Sequence, residues 1–234
     1  MNTIIRQIPN TITCINILSG CVAIICAASG RSPLWGLTGF DWAYIFIGIA
    51  AAADFCDGLA ARLLRAYSEL GKQLDSLCDC VSFGVAPSIL LFNILRQSYL
   101  DGILPWFALI IPVAGVLRLA KFNIDTRQTT SFIGLPIPAN AIFWIGYTAM
   151  ITSGISLLTM PWVVIPVLLI ECWLMVSPLP IFSLKFKNIR WKGNEARWIL
   201  ICAAVIFVGW LGLGGLCCLI ALYVILSFFP FSRQ

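Results

Sequence analysis

"DFCDGLAARLLRAYSELGKQLDSLCD", residues 54–79, carries four aspartates: Asp54, Asp57, Asp75 and Asp79. The whole chain of 234 residues has only ten acidic side chains. On both sides of this window the sequence is as apolar as a membrane span. Four carboxylates in such a setting need a physical reason.

The surroundings decide the fold class. The chain is 60% hydrophobic and 11% charged, with a mean hydropathy of +0.96. Soluble domains average about 25% charged residues, and no soluble core of this size could hide so much apolar surface. The composition therefore predicts an all-α, polytopic membrane protein. Crossing the hydrocarbon core takes about 20 apolar residues. Such spans are predicted near residues 11–29, 41–62, 74–96, 103–122, 136–154 and 161–182. The apolar run 198–229 is broken by "GLGG" at 212–215 and reads as two short helices, eight in all. The domain reading is 1–182 as the membrane core, 183–197 as a basic loop and 198–234 as a C-terminal transmembrane hairpin of the same single domain. The opening stretch, MNTIIRQIPNTITCINILSG, reads as a retained first helix preceded by a short amphipathic arm.

Charge sets the orientation. With a cytoplasmic N-terminus, every Lys and Arg except Arg31 and Arg96 falls in a segment on the inner side. Histidine is absent, which removes the commonest general base and zinc ligand. Acid–base work must fall to Asp, Glu, Lys, Tyr or Cys. The ten cysteines form no C-x-x-C pair and read as small buried hydrophobes.

Within the window, the second and third helices run antiparallel through a short cytoplasmic turn around Ala66 to Leu70. Asp54 and Asp57 are three apart and share a helix face; Asp75 and Asp79 are four apart and share another. Pairing by level sets Asp57 opposite Asp75 and Asp54 opposite Asp79. A charge at a helix centre costs roughly 2.5–3.5 kcal/mol on insertion scales. Facing carboxylates also repel, so they must be protonated, paired with bases or neutralised by metal. Arg62 and Lys72 offset part of the charge, whereas two divalent cations of the Mg²⁺ or Mn²⁺ type would cancel it. Two neighbouring metals serve displacement at phosphorus. The competing readings are buried Asp–Arg contacts that only fix packing, and a cation or proton pathway. Against the second, the acids cluster at one end of the membrane, and the later helices add only Glu171 within a span.

The spacing D-x2-D-G-x2-A-R-x8-G-x3-D-x3-D is filled by Asp54, Asp57, Gly58, Ala61, Arg62, Gly71, Asp75 and Asp79. It resembles the signature of the CDP-alcohol phosphotransferase family, whose members exchange the CMP of a CDP-linked lipid or alcohol for a hydroxyl acceptor. "LDSLCDCVSFGVAPS" (74–88), "LRLAKFN" (117–123) and "GLPIPAN" (134–140) resemble its membrane-type phosphatidylserine-forming branch. The likeness covers roughly residues 8–182. Lys121 stands where that branch usually has Arg, and Asn140 where it often has a small residue.

The resemblance implies a six-helix core plus two C-terminal helices, and an enzyme acting on CDP-diacylglycerol and L-serine. Asp54, Asp57 and Asp75 would ligate metal, with Asp79 completing the set or acting as the base. Gly58, Ala61, Arg62, Gly71 and Lys72 would line the CDP site with Asp54 and Asp75. The serine site would draw on Arg118, Lys121 and Asn123, with carbonyls freed around Pro136 and Pro138 for the ammonium. A homodimer in a bacterial-type inner membrane, with the active site facing the cytoplasm, is also implied; nucleic acid has no place in this reading. The alternatives are another acceptor, glycerol 3-phosphate or an inositol phosphate, and a metal-ion transporter.

Overall fold

The computed structural model describes residues 3–99, 102–124, 132–182, 191 and 193–229. Arg127, Lys185, Lys187, Arg190, Lys192 and Arg233, counted above as inner-side charges, lie outside them. Among the described residues the regular structure is helical apart from four two-residue strands. Among the same residues, five helical stretches are long and apolar enough to cross a membrane. The chain is a multi-pass helical membrane protein. It divides into two compact units, Met1–Leu119 and Ala120–Gln234.

The first unit begins with α1 (Thr3–Ser29), which runs without a break through Pro9. The amphipathic arm is thus the first turns of the same helix. A two-residue hairpin follows: Pro33 pairs with Thr38 and Leu34 with Leu37. Its turn residues, Trp35 and Gly36, have φ of 48° and 86°, the double positive φ that suits a tight hairpin. Thr38 then caps α2 (Gly39–Leu63). Its hydroxyl accepts from the Asp41 amide while the Asp41 carboxylate accepts from the Thr38 amide, a reciprocal capping box.

α2 ends at a turn spanning residues 64–68, where Arg65 takes a φ of 49°. The turn comes slightly earlier than the sequence suggests, because Ser68 caps the next helix by accepting from the Gly71 amide at 2.9 Å. α3 (Glu69–Ser98) is continuous but changes character along its length. It is α-helical to Asp79, π-helical over Cys80–Val85, and α-helical again from Ala86. The π turn sits against α1. A Cβ on Gly20 would fall 2.3 Å from Ser82 Oγ, so glycine permits the close approach. α4 (Leu104–Ile124) opens with a 3₁₀ segment; Ser88 Oγ donates to the Ala108 carbonyl at 2.9 Å and ties α3 to it.

The second unit holds α5 (Ile137–Thr152), α6 (Pro161–Val176), α7 (Glu195–Leu211) and α8 (Gly215–Ser227). Phe132–Ile133 pairs antiparallel with Pro180–Ile181. Gly134, at φ +75°, lies where a Cβ would meet the Met175 carbonyl at 2.5 Å. The "GLGG" break separates α7 from α8, with Gly212 at φ +59°. Gly215 rests on the backbone of Phe207, 2.3 Å from where its Cβ would stand, so α8 folds back along α7. α8 also packs on α5, where Gly146 leaves room for the Cys217 backbone.

Candidate active site

The acidic window does fold as a helical hairpin, with α2 and α3 each contributing carboxylates to one place. One oxygen from each of Asp54, Asp57 and Asp75 lies within 4.8 Å of the others. Asp57 is buried; Asp54 and Asp75 are half-buried. Asp75 therefore meets both aspartates of α2, whereas pairing by level set it opposite Asp57 alone. Level pairing assumes parallel helix axes, and packed helices cross at an angle. Asp79 lies one turn further along α3, about 6 Å of rise, and is not part of this group. It is buried, and its Oδ1 accepts from Asn16 Nδ2 at 3.1 Å.

α1 supplies partners that the reading of the acidic motif missed. Thr13 Oγ1 donates to Asp57 Oδ2 at 2.5 Å. Asn16 is fully buried beside Asp79, and its own carbonyl accepts from Ser82 Oγ at 3.0 Å. The signal was present in the sequence: Asn10, Thr13 and Asn16 recur every third residue in an otherwise apolar span, so they share one helix face.

The cluster opens on a cavity of about 220 Å³. Pro9, Asn10 and Thr13 of α1, Asp57, Gly58 and Ala61 of α2, and Gly71, Lys72 and Asp75 of α3 line it, closed by Ala66, Tyr67 and Ser68 of the turn. A Cβ on Gly58 would meet nothing within 4 Å, so the glycine widens the cavity rather than relieving a helix contact. Four of the five non-acidic residues expected at a nucleotide site, Gly58, Ala61, Gly71 and Lys72, are thus in its wall. Arg62 is not. It is exposed, and its Nε donates to the Gly58 carbonyl at 2.9 Å.

The donor set suits a hard cation. Three carboxylates converge, and Asp75 Oδ1 is buried without a hydrogen-bond partner among the described residues. Oxygen-only clusters of this kind match Mg²⁺ or Mn²⁺ rather than softer metals.

The residues expected to hold serine are divided between the two units. Arg118, in the first, is buried. In the second, Lys121 Nζ donates to the Val176 carbonyl at 3.1 Å, at the end of α6, and Asn123 is half-buried near the end of α4. Pro136 is the N-cap of α5 and Pro138 lies in its first turn. There a missing N–H has no intrahelical acceptor to deprive, so these prolines form a helix entry and free no carbonyl.

Fold and site together define a polytopic membrane protein with a partly buried carboxylate cluster beside a cavity. The chain belongs to the CDP-alcohol phosphatidyltransferase family, whose sequence profile it matches over residues 6–210. It is 35% identical over 161 residues to a Bacillus subtilis protein named CDP-diacylglycerol–serine O-phosphatidyltransferase, covering 67% of this chain and 82% of that one. Proteins of the same name from Methanocaldococcus jannaschii and Saccharomyces cerevisiae are each 36% identical, over 149 and 155 residues. Those matches cover 64% and 62% of this chain, and 64% and 54% of the two relatives.

Proposed function

We propose that this chain transfers the phosphatidyl group of CDP-diacylglycerol to the hydroxyl of L-serine, giving phosphatidylserine and CMP. The observation that carries the reading is the convergence of Asp54, Asp57 and Asp75, of which Asp57 and Asp75 line a cavity together with Gly58, Ala61, Gly71 and Lys72. That arrangement occurs in a chain whose relatives are named for this reaction.

Asp54, Asp57 and Asp75 would hold the divalent ions, Mg²⁺ or Mn²⁺, whose chemistry is to stabilise charge on phosphate oxygens. The bare Gly58 and Gly71 let the nucleotide approach the backbone of α2 and α3. Lys72 offers a cation to its phosphates. Arg62 braces the Gly58 carbonyl with Nε and keeps its two Nη groups for the nucleotide. Asp79 takes the proton of the serine hydroxyl as the serine oxygen bonds to the phosphorus and the bond to CMP breaks. A diacyl substrate explains the membrane setting, with tails in lipid and headgroup at the cavity.

Pro136 and Pro138, which free no carbonyl, drop out of the serine site; its assignment to Arg118, Lys121 and Asn123 rests on the sequence argument. The same holds for eight crossings, the single domain with its basic loop 183–197, a homodimer, and a bacterial-type inner membrane with the site facing the cytoplasm.

The test is purified protein in mixed micelles with CDP-diacylglycerol and Mn²⁺ or Mg²⁺, offered serine, glycerol 3-phosphate or inositol phosphate in turn. CMP release with serine alone is the expected result. Turnover confined to glycerol 3-phosphate would end the serine assignment and leave phosphatidyl transfer standing.

A further inference from the structure

Asn16 is one of very few polar residues in the apolar middle of α1, and it is completely buried. It holds α3 at two points. Its side-chain Nδ2 donates to Asp79 Oδ1 at 3.1 Å. Its main-chain carbonyl accepts from Ser82 Oγ at 3.0 Å, three residues further along. One turn up α1, the bare Gly20 lets Ser82 come this close. The segment Asp79–Ser82, where α3 passes into its π turn, is therefore fastened to α1 from both sides.

The other half of the amide is a cost. Asn16 Oδ1 is buried and has no hydrogen-bond partner among the described residues. A buried acceptor without a donor destabilises the fold, and an apolar side chain at position 16 would avoid that cost. The Ser82 contact uses only the backbone, which any residue provides. What asparagine adds here is its side-chain N–H, which donates to Asp79.

We propose that Asn16 is the positioning residue of Asp79. By donating to Oδ1 it stops the carboxylate from rotating and leaves Oδ2 to receive the proton of the acceptor hydroxyl. The inference rests on the reading of Asp79 as the general base. A base must lie within about 2.6–3.2 Å of the proton it takes, and a misplacement of about 1 Å can cost on the order of 10²-fold.

The experiment is a double-mutant cycle on the full chain in CDP-diacylglycerol micelles with Mn²⁺ and serine. The variants are Asn16→Ala, Asn16→Asp, Asp79→Asn and the Asn16→Ala/Asp79→Asn pair. Asn16→Ala should lower kcat by roughly 10- to 100-fold. KM for CDP-diacylglycerol and serine, and the Mn²⁺ needed for half activity, should stay within about twofold, because no contact to any of them is removed. The double variant should turn over no more slowly than Asp79→Asn alone, since a residue acting through Asp79 has nothing left to position. Losses that multiply would make Asn16 a packing residue and overturn the inference. So would wild-type kcat in Asn16→Ala, or a loss confined to KM. Should Asn16→Ala fail to bind CDP-diacylglycerol, Asn16→Asp carries the same cycle. It keeps the size but lacks the N–H, and wild-type kcat there also overturns the inference. Wild-type turnover in Asp79→Asn would instead remove the base reading itself.

Discussion

Asp75 shows how much a single side chain can be asked to do in an apolar setting. It meets both aspartates of α2 and keeps one buried oxygen without a hydrogen-bond partner among the described residues. Three carboxylates this close repel unless a cation joins them. Asp54→Asn keeps the shape of a ligand and loses its charge. Loss of an outer-shell partner alone lowers metal affinity about 10- to 100-fold; loss of a ligand charge should do at least as much. Titrating activity with Mn²⁺ measures this, and an unchanged half-saturation would remove Asp54 from the ligand set. The acidic residues were legible in the sequence because carboxylates in an apolar run have no cheap structural explanation. Thr13 and Asn16 were not singled out, since an isolated Thr or Asn satisfies itself within a helix at little cost. Only their common spacing with Asn10 gave them away. The partition of the four aspartates into a cluster of three and a separately held Asp79 depends on how helices cross, which spacing along one chain does not encode.

At the scale of elements, the contact between α1 and the π turn of α3 holds the site's two polar layers in place. Thr13 reaches Asp57 and Asn16 reaches Asp79 from the same face of α1. Gly20→Val would push a branched side chain into Ser82, including its backbone, which a Cβ would already approach to 2.8 Å. Overpacking of this kind costs about 1–3 kcal/mol or more. The variant should unfold at lower temperature in detergent and lose turnover along with stability, because both hydrogen bonds from α1 move with the helix. A melting temperature equal to that of the wild type would refute the contact. Helix breaks were readable wherever Gly and Pro mark them, as at "GLGG". The two-residue strands 33–34, 37–38, 132–133 and 180–181 were not, since two residues carry no periodicity. The π turn was equally silent: Ser82 within it donates to the Asn16 carbonyl of another helix, a contact that the residues of the turn alone do not announce.

For the whole molecule, the excess of Lys and Arg on one side is the strongest large-scale instruction. By the positive-inside rule, both termini and the 183–197 loop are expected in the cytoplasm. A single cysteine at position 190 on a Cys-free background should react only with reagents that reach the cytoplasmic face. Labelling from the opposite face would reverse the whole arrangement and move the carboxylates with it. Membrane class and helical architecture were legible from composition and run lengths, because the bilayer fixes how long an apolar segment must be. The division into units at Leu119 and Ala120 was not, for it falls inside a single helix, α4, where the sequence has no punctuation.

The cluster, its cavity and the groups of α1 that hold it all lie between Pro9 and Ser82, within the first unit. Chains are made from the N-terminus at roughly 5–20 residues per second, so order in sequence is also order in time. α1 enters the bilayer with Thr13 and Asn16 still lacking their partners from α2 and α3. α2 then brings Asp54 and Asp57 before Asp75 exists. Each newcomer gives a polar group already in lipid something to bind, which makes withdrawal from the nascent bundle costly. By the time the ribosome has translated Ser98, every side chain of the cluster has been made, and more than half of the protein is still to come.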